Sequence, residues 1–207
     1  MGQDVSRFGA VSLDELPDDL RDRIGAIAEK SGFVPNVFLA LGHRPAELRA
    51  FCDYHDAVME RDSGLSKAER ELVVVATSGA NHCTYCVVAH GAILRIRARD
   101  PHVADRVATN PWSVELTHRE RAIVDLALAL AVDPGAFTAE DIEAARDAGL
   151  TDEEIWDVGA VTALFALSNR MAHLMGLRPN DEFYLMGRLP RDGDATPGAG
   201  PGARSAP

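Results

Sequence analysis

Apolar positions recur at three- and four-residue intervals along most of the chain, the period of amphipathic helices. Leu16, Leu20, Ile24 and Ile27 mark a first helix, opened by the capping box Ser12-Leu13-Asp14-Glu15 and running to about Glu29. Pro17 lies in its early part, where it breaks the first turn and moves the true start later. Ser31-Gly32-Phe33-Val34-Pro35 reads as a turn and a crossing, followed by a short apolar turn at Phe38, Leu39 and Leu41. A second helix is expected from Pro45 through Arg61, with Leu48, Phe51, Cys52, His55 and Val58-Met59 as its buried stripe. Beyond the break at Ser63-Gly64-Leu65-Ser66, a third helix runs from Lys67 to about Ser78. It is apolar nearly all round after its first turn and is therefore predicted to be buried.

Gly79-Ala80-Asn81 ends that helix, and the next starts near His82 or Cys83 and reaches about Arg99, with Arg95, Arg97 and Arg99 suited to a helix C-terminus. Residues 100–116 read as a connector containing Pro111 and Trp112. Thr117/Glu120, Thr138/Asp141 and Thr151/Glu154 open three more helices, ending near Val132, Ala148 and Met175, the last stopped by Gly176. No segment alternates like a strand. The prediction is an all-α chain of about seven helices: an N-terminal arm at 1–11, one helical domain at 12–189, and a Pro/Gly/Ala-rich tail at 190–207 with no core of its own.

Composition narrows the function classes. The 207 residues suit one domain or two closely related halves, and 46% apolar with 26% charged residues is ordinary for a globular protein. A net charge of −11 argues against nucleic-acid binding, which needs a concentrated basic face. Nothing approaches the roughly 18 consecutive apolar residues of a membrane span. The N-terminus lacks the apolar core of a signal peptide, and three cysteines fit no secreted disulfide framework, so the expected compartment is the cytoplasm. Met1-Gly2-Gln3-Asp4-Val5-Ser6 fits the loose myristoylation pattern, but without a basic patch it reads as a plain leader.

The chemistry gathers at Asn81-His82-Cys83-Thr84-Tyr85-Cys86-Val87-Val88-Ala89-His90. If Cys83 opens a helix, Cys86 falls in its first turn and His90 shares their face. A helix N-terminus favours a thiolate, the reactive form of cysteine, and His90 is placed to hydrogen-bond a sulfur or move a proton. Glu71, on the preceding helix, shares a face with Val74, Val75 and Ser78. In apolar surroundings its pKa would rise and it could trade protons near neutrality; at the surface it would simply favour the helix dipole. A weak internal echo bears on it. Residues 66–73 resemble 117–124, but Ala122 replaces Glu71 and no cysteine follows.

Glu71, then eleven residues, then Cys83-x-x-Cys86-x-x-x-His90 resembles the signature of the AhpD-like alkylhydroperoxidases of the carboxymuconolactone decarboxylase superfamily. The run Asn81-x-Cys83-x-Tyr85-Cys86 is similar to the peroxidase-related branch, and Phe33-Val34-Pro35-Asn36, Gly149-Leu150-Thr151 and Ser168-Asn169-Arg170 add to the likeness. The resemblance implies a redox pair, Cys83 and Cys86, with Glu71 and His90 as a proton relay, reducing hydroperoxides without a bound cofactor or metal. It implies an external dithiol reductant, lipoyl- or thioredoxin-like, and a homo-oligomer. Cys86 is assigned as the sulfur nearest His90, and Cys83 as the more exposed one that meets the reductant. The best-studied type of the family has a histidine between the cysteines where this chain has Tyr85, which does not ionise usefully near neutral pH.

Two other classes compete. His82, Cys83, Cys86 and His90 are ligand types that zinc takes, although a single helix would have to close the site at a strained angle unless Glu71 joined. A non-catalytic redox sensor or binding protein would use the same dithiol with slow turnover. Covalent haem is excluded because Val87 follows Cys86. Cys52 reads as a buried helix residue, and His173 as a structural side chain near Asn169 or a pocket-lining one.

Overall fold

The computed structural model of the chain describes residues 5–188. The predicted tail and the first four residues of the predicted arm lie outside them. Among the described residues there are ten α-helices and no strand: α1 (Asp18–Ser31), α2 (Asn36–Leu41), α3 (Pro45–Met59), α4 (Lys67–Ala80), α5 (Thr84–Ala98), α6 (Val103–Thr109), α7 (His118–Val132), α8 (Ala139–Asp147), α9 (Asp152–Met175) and α10 (Glu182–Leu185). The all-α expectation holds, and the seven expected helices are α1, α3, α4, α5, α7, α8 and α9. The other three are α2, α6 and α10, which span six, seven and four residues. Helices that short have little intrinsic stability and form only against a packed surface, so periodicity did not reveal them. Pro17 acts as expected: Leu13–Glu15 forms a separate 3-10 turn, and α1 begins after Pro17.

α4 is the central helix. From Arg70 to Ser78 every residue is buried. Val73 and Val74 enter one apolar cluster, while Leu72, Val75 and Ala76 enter a second. A helix flanked by two cores needs apolar residues on every side, which accounts for its lack of a polar face. Its start is fixed by the reciprocal Ser66–Glu69 capping box. Arg70, buried beneath the preceding loop, donates to the Val58 carbonyl at 2.7 Å and pairs with Asp157 of α9 at 3.3 Å. Arg119 of α7 bridges Glu69 and Glu154, both at 2.7 Å, tying the starts of α4, α7 and α9 together.

α4 and α6 approach closely at Gly79, where an added Cβ would lie 2.7 Å from the Ala108 carbonyl oxygen. α9 stops at Gly176, whose φ of +58° lets Leu177 N–H reach back to the Ala172 carbonyl at 3.0 Å. No helix among the described residues is long and apolar enough to cross a membrane.

Candidate active site at the junction of α4 and α5

The site is built around the tight connection from α4 to α5. Asn81 ends α4, His82 adopts a left-handed φ of +53°, and Cys83 is the N-cap of α5. Backbone bonds hold the turn: His82 N–H donates to Gly79 O and Cys83 N–H to Ser78 O, each at 2.9 Å. α9 clamps it from the far side. Asn81 Nδ2 donates to Asn169 Oδ1 and Asn169 Nδ2 donates to Ser78 Oγ, both at 3.0 Å. His173 Nε2 donates to the Asn81 carbonyl at 2.9 Å. His173 thus supports the backbone just ahead of the cysteines.

Both cysteines are free thiols and both are buried, Cys83 at 2% and Cys86 at 1% exposure. Cys83 is the less covered of the two, as assigned, but by a margin too small to make it a surface thiol. Cys83 is lowered to about 7, first by a hydrogen bond from the Cys86 thiol and, against the cost of burial, by the Cys86 backbone N–H. That amide belongs to the first turn of α5; it acts on the sulfur without forming a full cap hydrogen bond. The charges of His173 and His90 lower Cys83 further. Cys86 is raised, by its bond to Cys83 and by burial, and its Sγ lies 3.7 Å from Ser168 Oγ.

Glu71 is buried, not a surface carboxylate. Its Oε2 is 2.8 Å from His90 Nδ1, so the two expected relay residues meet across α4 and α5. Phe165 of α9 fixes the imidazole by an edge-on contact, with ring centroids 4.6 Å apart at 82°. Tyr85 is engaged with α2. Its hydroxyl accepts from Val37 N–H at 3.1 Å and is pushed up by burial, so it fastens α5 to α2. Cys52 is buried with its thiol pushed up, as a core residue would be. Among the described residues no three His, Cys, Asp or Glu side chains converge as metal ligands; His82 points outward and His90 is engaged by Glu71.

Two cavities flank the core. One, of about 330 Å³, lies between α3 and α9, with Phe51, Tyr54, Leu164, Leu167 and Met171 as apolar walls and Ser168 as the link to Cys86. The other, of about 250 Å³, lies at Ala122 between α7 and α8; His118, Asp125 and Asp141 are among its walls, and no thiol is. The half of the echo that lacks Glu71 therefore lacks the thiols too.

The carboxymuconolactone decarboxylase family model matches residues 45–109, which include the α4–α5 junction. A crystal structure described as alkylhydroperoxidase AhpD core, an uncharacterized peroxidase-related protein from Ralstonia eutropha JMP134, is 55% identical. It superimposes with a TM-score of 0.89 over 92% of this chain and 100% of that one. The chain belongs to the AhpD-like proteins of the carboxymuconolactone decarboxylase superfamily.

A second AhpD-like neighbour, an uncharacterized peroxidase-related protein from Silicibacter sp. TM1040, is 34% identical, with a TM-score of 0.82 over 86% of this chain and 94% of that one. The debrominase Bmp8, in complex with 2,3,4-tribromopyrrole, has the same fold at 18% identity, with a TM-score of 0.68 over 90% of this chain and 96% of its own. Among curated proteins no match is found. His55, which the sequence places only in the buried stripe of α3, also reaches this site: its ring lies 6.5 Å from that of His90. The available signal was a titratable side chain within the apolar stripe of α3.

Proposed function

We propose that this AhpD-like chain is a thiol–disulfide redox enzyme, a peroxidase that reduces organic hydroperoxides with Cys83 and Cys86. The observation that carries the reading is the lowered Cys83 thiol at the start of α5, next to a second thiol and within reach of the His90 charge. Thiolate is the form that attacks peroxide, and at neutral pH a thiol with a pKa near 7 supplies about half of it. The Cys83 sulfur bonds one peroxide oxygen, the O–O bond breaks, and the departing alkoxide takes a proton supplied through Glu71 and His90. The Cys86 thiol attacks the resulting sulfenic sulfur, a disulfide forms, and water leaves. An external dithiol, lipoyl- or thioredoxin-like, returns two electrons and two protons.

The apolar cavity beside Ser168 supports a substrate with a hydrocarbon tail, since it offers burial to a chain and little to hydrogen peroxide. Tyr85 is occupied with Val37 and takes no proton in this cycle. A homo-oligomer belongs to the reading: Trp156, Leu167 and Leu174 are exposed on α9, and a second copy would cover them. The debrominase shares the fold with different chemistry, so the peroxidase step rests on the residues of the site and not on the fold.

The test is peroxide consumption with dithiothreitol, comparing wild type with Cys83→Ser and Cys86→Ser. Cys83→Ser should abolish turnover and Cys86→Ser the internal disulfide step, and Cys86→Ser treated with peroxide before dithiothreitol is added should accumulate a sulfenic acid on Cys83 that is trapped by dimedone. Equal rates in all three proteins would show that the dithiol has no part in the reaction.

A further inference from the structure

The Glu71–His90 pair is itself buried, with side-chain exposures of 9% and 15%. A thiol that ionises behind it must send its proton out, and a thiolate that reduces a peroxide must bring one back. Water does not reach Cys83 or Cys86 freely, since both are nearly fully covered. A path that carries the proton from this pair to solvent is therefore required.

α3 supplies one. The His55 ring lies 6.5 Å, centroid to centroid, from the His90 ring and is tilted by 45°, a gap that one water spans. On its other side His55 Nδ1 is 3.2 Å from Asp56 Oδ1. Exposure rises step by step along this line, from 9% at Glu71 and 15% at His90 to 30% at His55 and 56% at Asp56. Each member either donates or accepts a proton, and with Nδ1 of His90 and Nδ1 of His55 both engaged by carboxylates, Nε2 is the free atom of each ring: that of His90 takes the thiol proton and passes it on, through the intervening water, to that of His55.

We propose that His55 is the proton-transfer residue that connects the Glu71–His90 pair to solvent, passing protons between His90 and the exposed edge at Asp56. It acts through His90 and touches no reacting atom. This rests on the peroxidase reading for its reaction, though any chemistry that ionises the buried dithiol needs the same path.

The surroundings suit the task. The groups that act on His55 are His90 from α5, Glu71 from α4 and Asp56 from its own helix. Arg23 of α1 holds Asp56 and Asp53, at 2.6 Å each, and so fixes the outer end of the line. Burial first, and then the His90 charge, push His55 below the ordinary histidine range, so it is neutral at pH 7 and free to accept a proton. In the resting step a proton leaves the Cys83 thiol and reaches solvent through His90 and His55. In the reducing step one proton returns to the alkoxide. The completed turnover converts dithiol and hydroperoxide to disulfide, alcohol and water, with no net proton gained or lost.

The experiment measures turnover of cumene hydroperoxide with dithiothreitol by the full chain, across the pH range in which histidine titrates, at low buffer and with added imidazole. His55→Ala opens a hole that imidazole can enter, and His55→Gln fills it. We expect both variants to lose about tenfold in rate at low buffer, less than a direct general acid would cost because water partly replaces the relay. Imidazole should restore His55→Ala and not His55→Gln, while the iodoacetamide-alkylation pKa of Cys83 moves little in either. Wild-type rates in both variants, or a loss in His55→Ala that imidazole leaves unchanged, would overturn the proposal. If wild type itself consumes no peroxide, the peroxidase reading fails instead. The same comparison run on reduction of cystamine by the dithiol then decides the relay on its own.

Discussion

Replacing Cys86 with alanine should return the Cys83 thiol to its ordinary range. In the native site Cys83 is lowered from 9.0 to about 7, and the hydrogen bond from the Cys86 thiol is the largest cause. Alanine deletes that donor and leaves burial, which acts in the opposite direction, opposed only by the Cys86 amide and the charges of His173 and His90. Two pH units correspond to about 3 kcal/mol, near the top of what one hydrogen bond to a charged group contributes, so full reversal is the upper bound. At pH 7 the thiolate fraction would then fall from about one half to about one in a hundred, a change of roughly fiftyfold. Serine keeps an O–H donor on a shorter arm, so Cys86→Ser should retain part of the shift. The assay is the pH dependence of Cys83 alkylation by iodoacetamide, followed by mass spectrometry to separate it from the slow reaction of buried Cys52. The order in apparent pKa should be wild type, then Cys86→Ser, then Cys86→Ala. An alanine variant that still titrates near 7 would mean that the helix N-terminus sets the thiolate and the second cysteine does not.

Two further outcomes follow from the scaffold around the site. Glu154 is held down at about 2, first by Arg119 and then by the Thr151 backbone and hydroxyl. A depressed carboxylate stabilises the fold above its unfolded value near 4.5, and that contribution is lost as pH falls from there toward 2. Glu154→Gln should cost about 2 kcal/mol in urea unfolding at neutral pH, with the gap to wild type narrowing in acid; parallel losses for the two proteins would refute the assignment. Gly79→Ala would place a Cβ 2.7 Å from the Ala108 carbonyl oxygen and 2.9 Å from its Cα, against backbone that cannot rotate away. We expect α4 and α6 to separate at a cost of about 2–3 kcal/mol, read as a lowered urea midpoint. A variant as stable as wild type would show that the two helices part freely.

What the sequence alone determined about this protein is what depends on neighbours along the chain. Seven helices follow from apolar spacing, and the starts of α4, α7, α8 and α9 from capping boxes whose two partners are three residues apart. The shared face of Cys83, Cys86 and His90 is also a property of one helix. Tertiary structure decided everything that joins elements distant in sequence. It turned Glu71 inward and brought it to His90, a choice that periodicity left open because a first-turn glutamate is equally at home in solvent. It brought Asn169 and His173 of α9 onto the Asn81 turn from more than eighty residues away, and it tied the Tyr85 hydroxyl to Val37. It also made helices of the short segments α2, α6 and α10, which packing stabilises and local propensity does not. The exposure of the cysteines went the same way. A helix N-terminus can lie in water or in the interior, a choice that local sequence leaves open; here both cysteines are buried, and the pair needs a path for its protons.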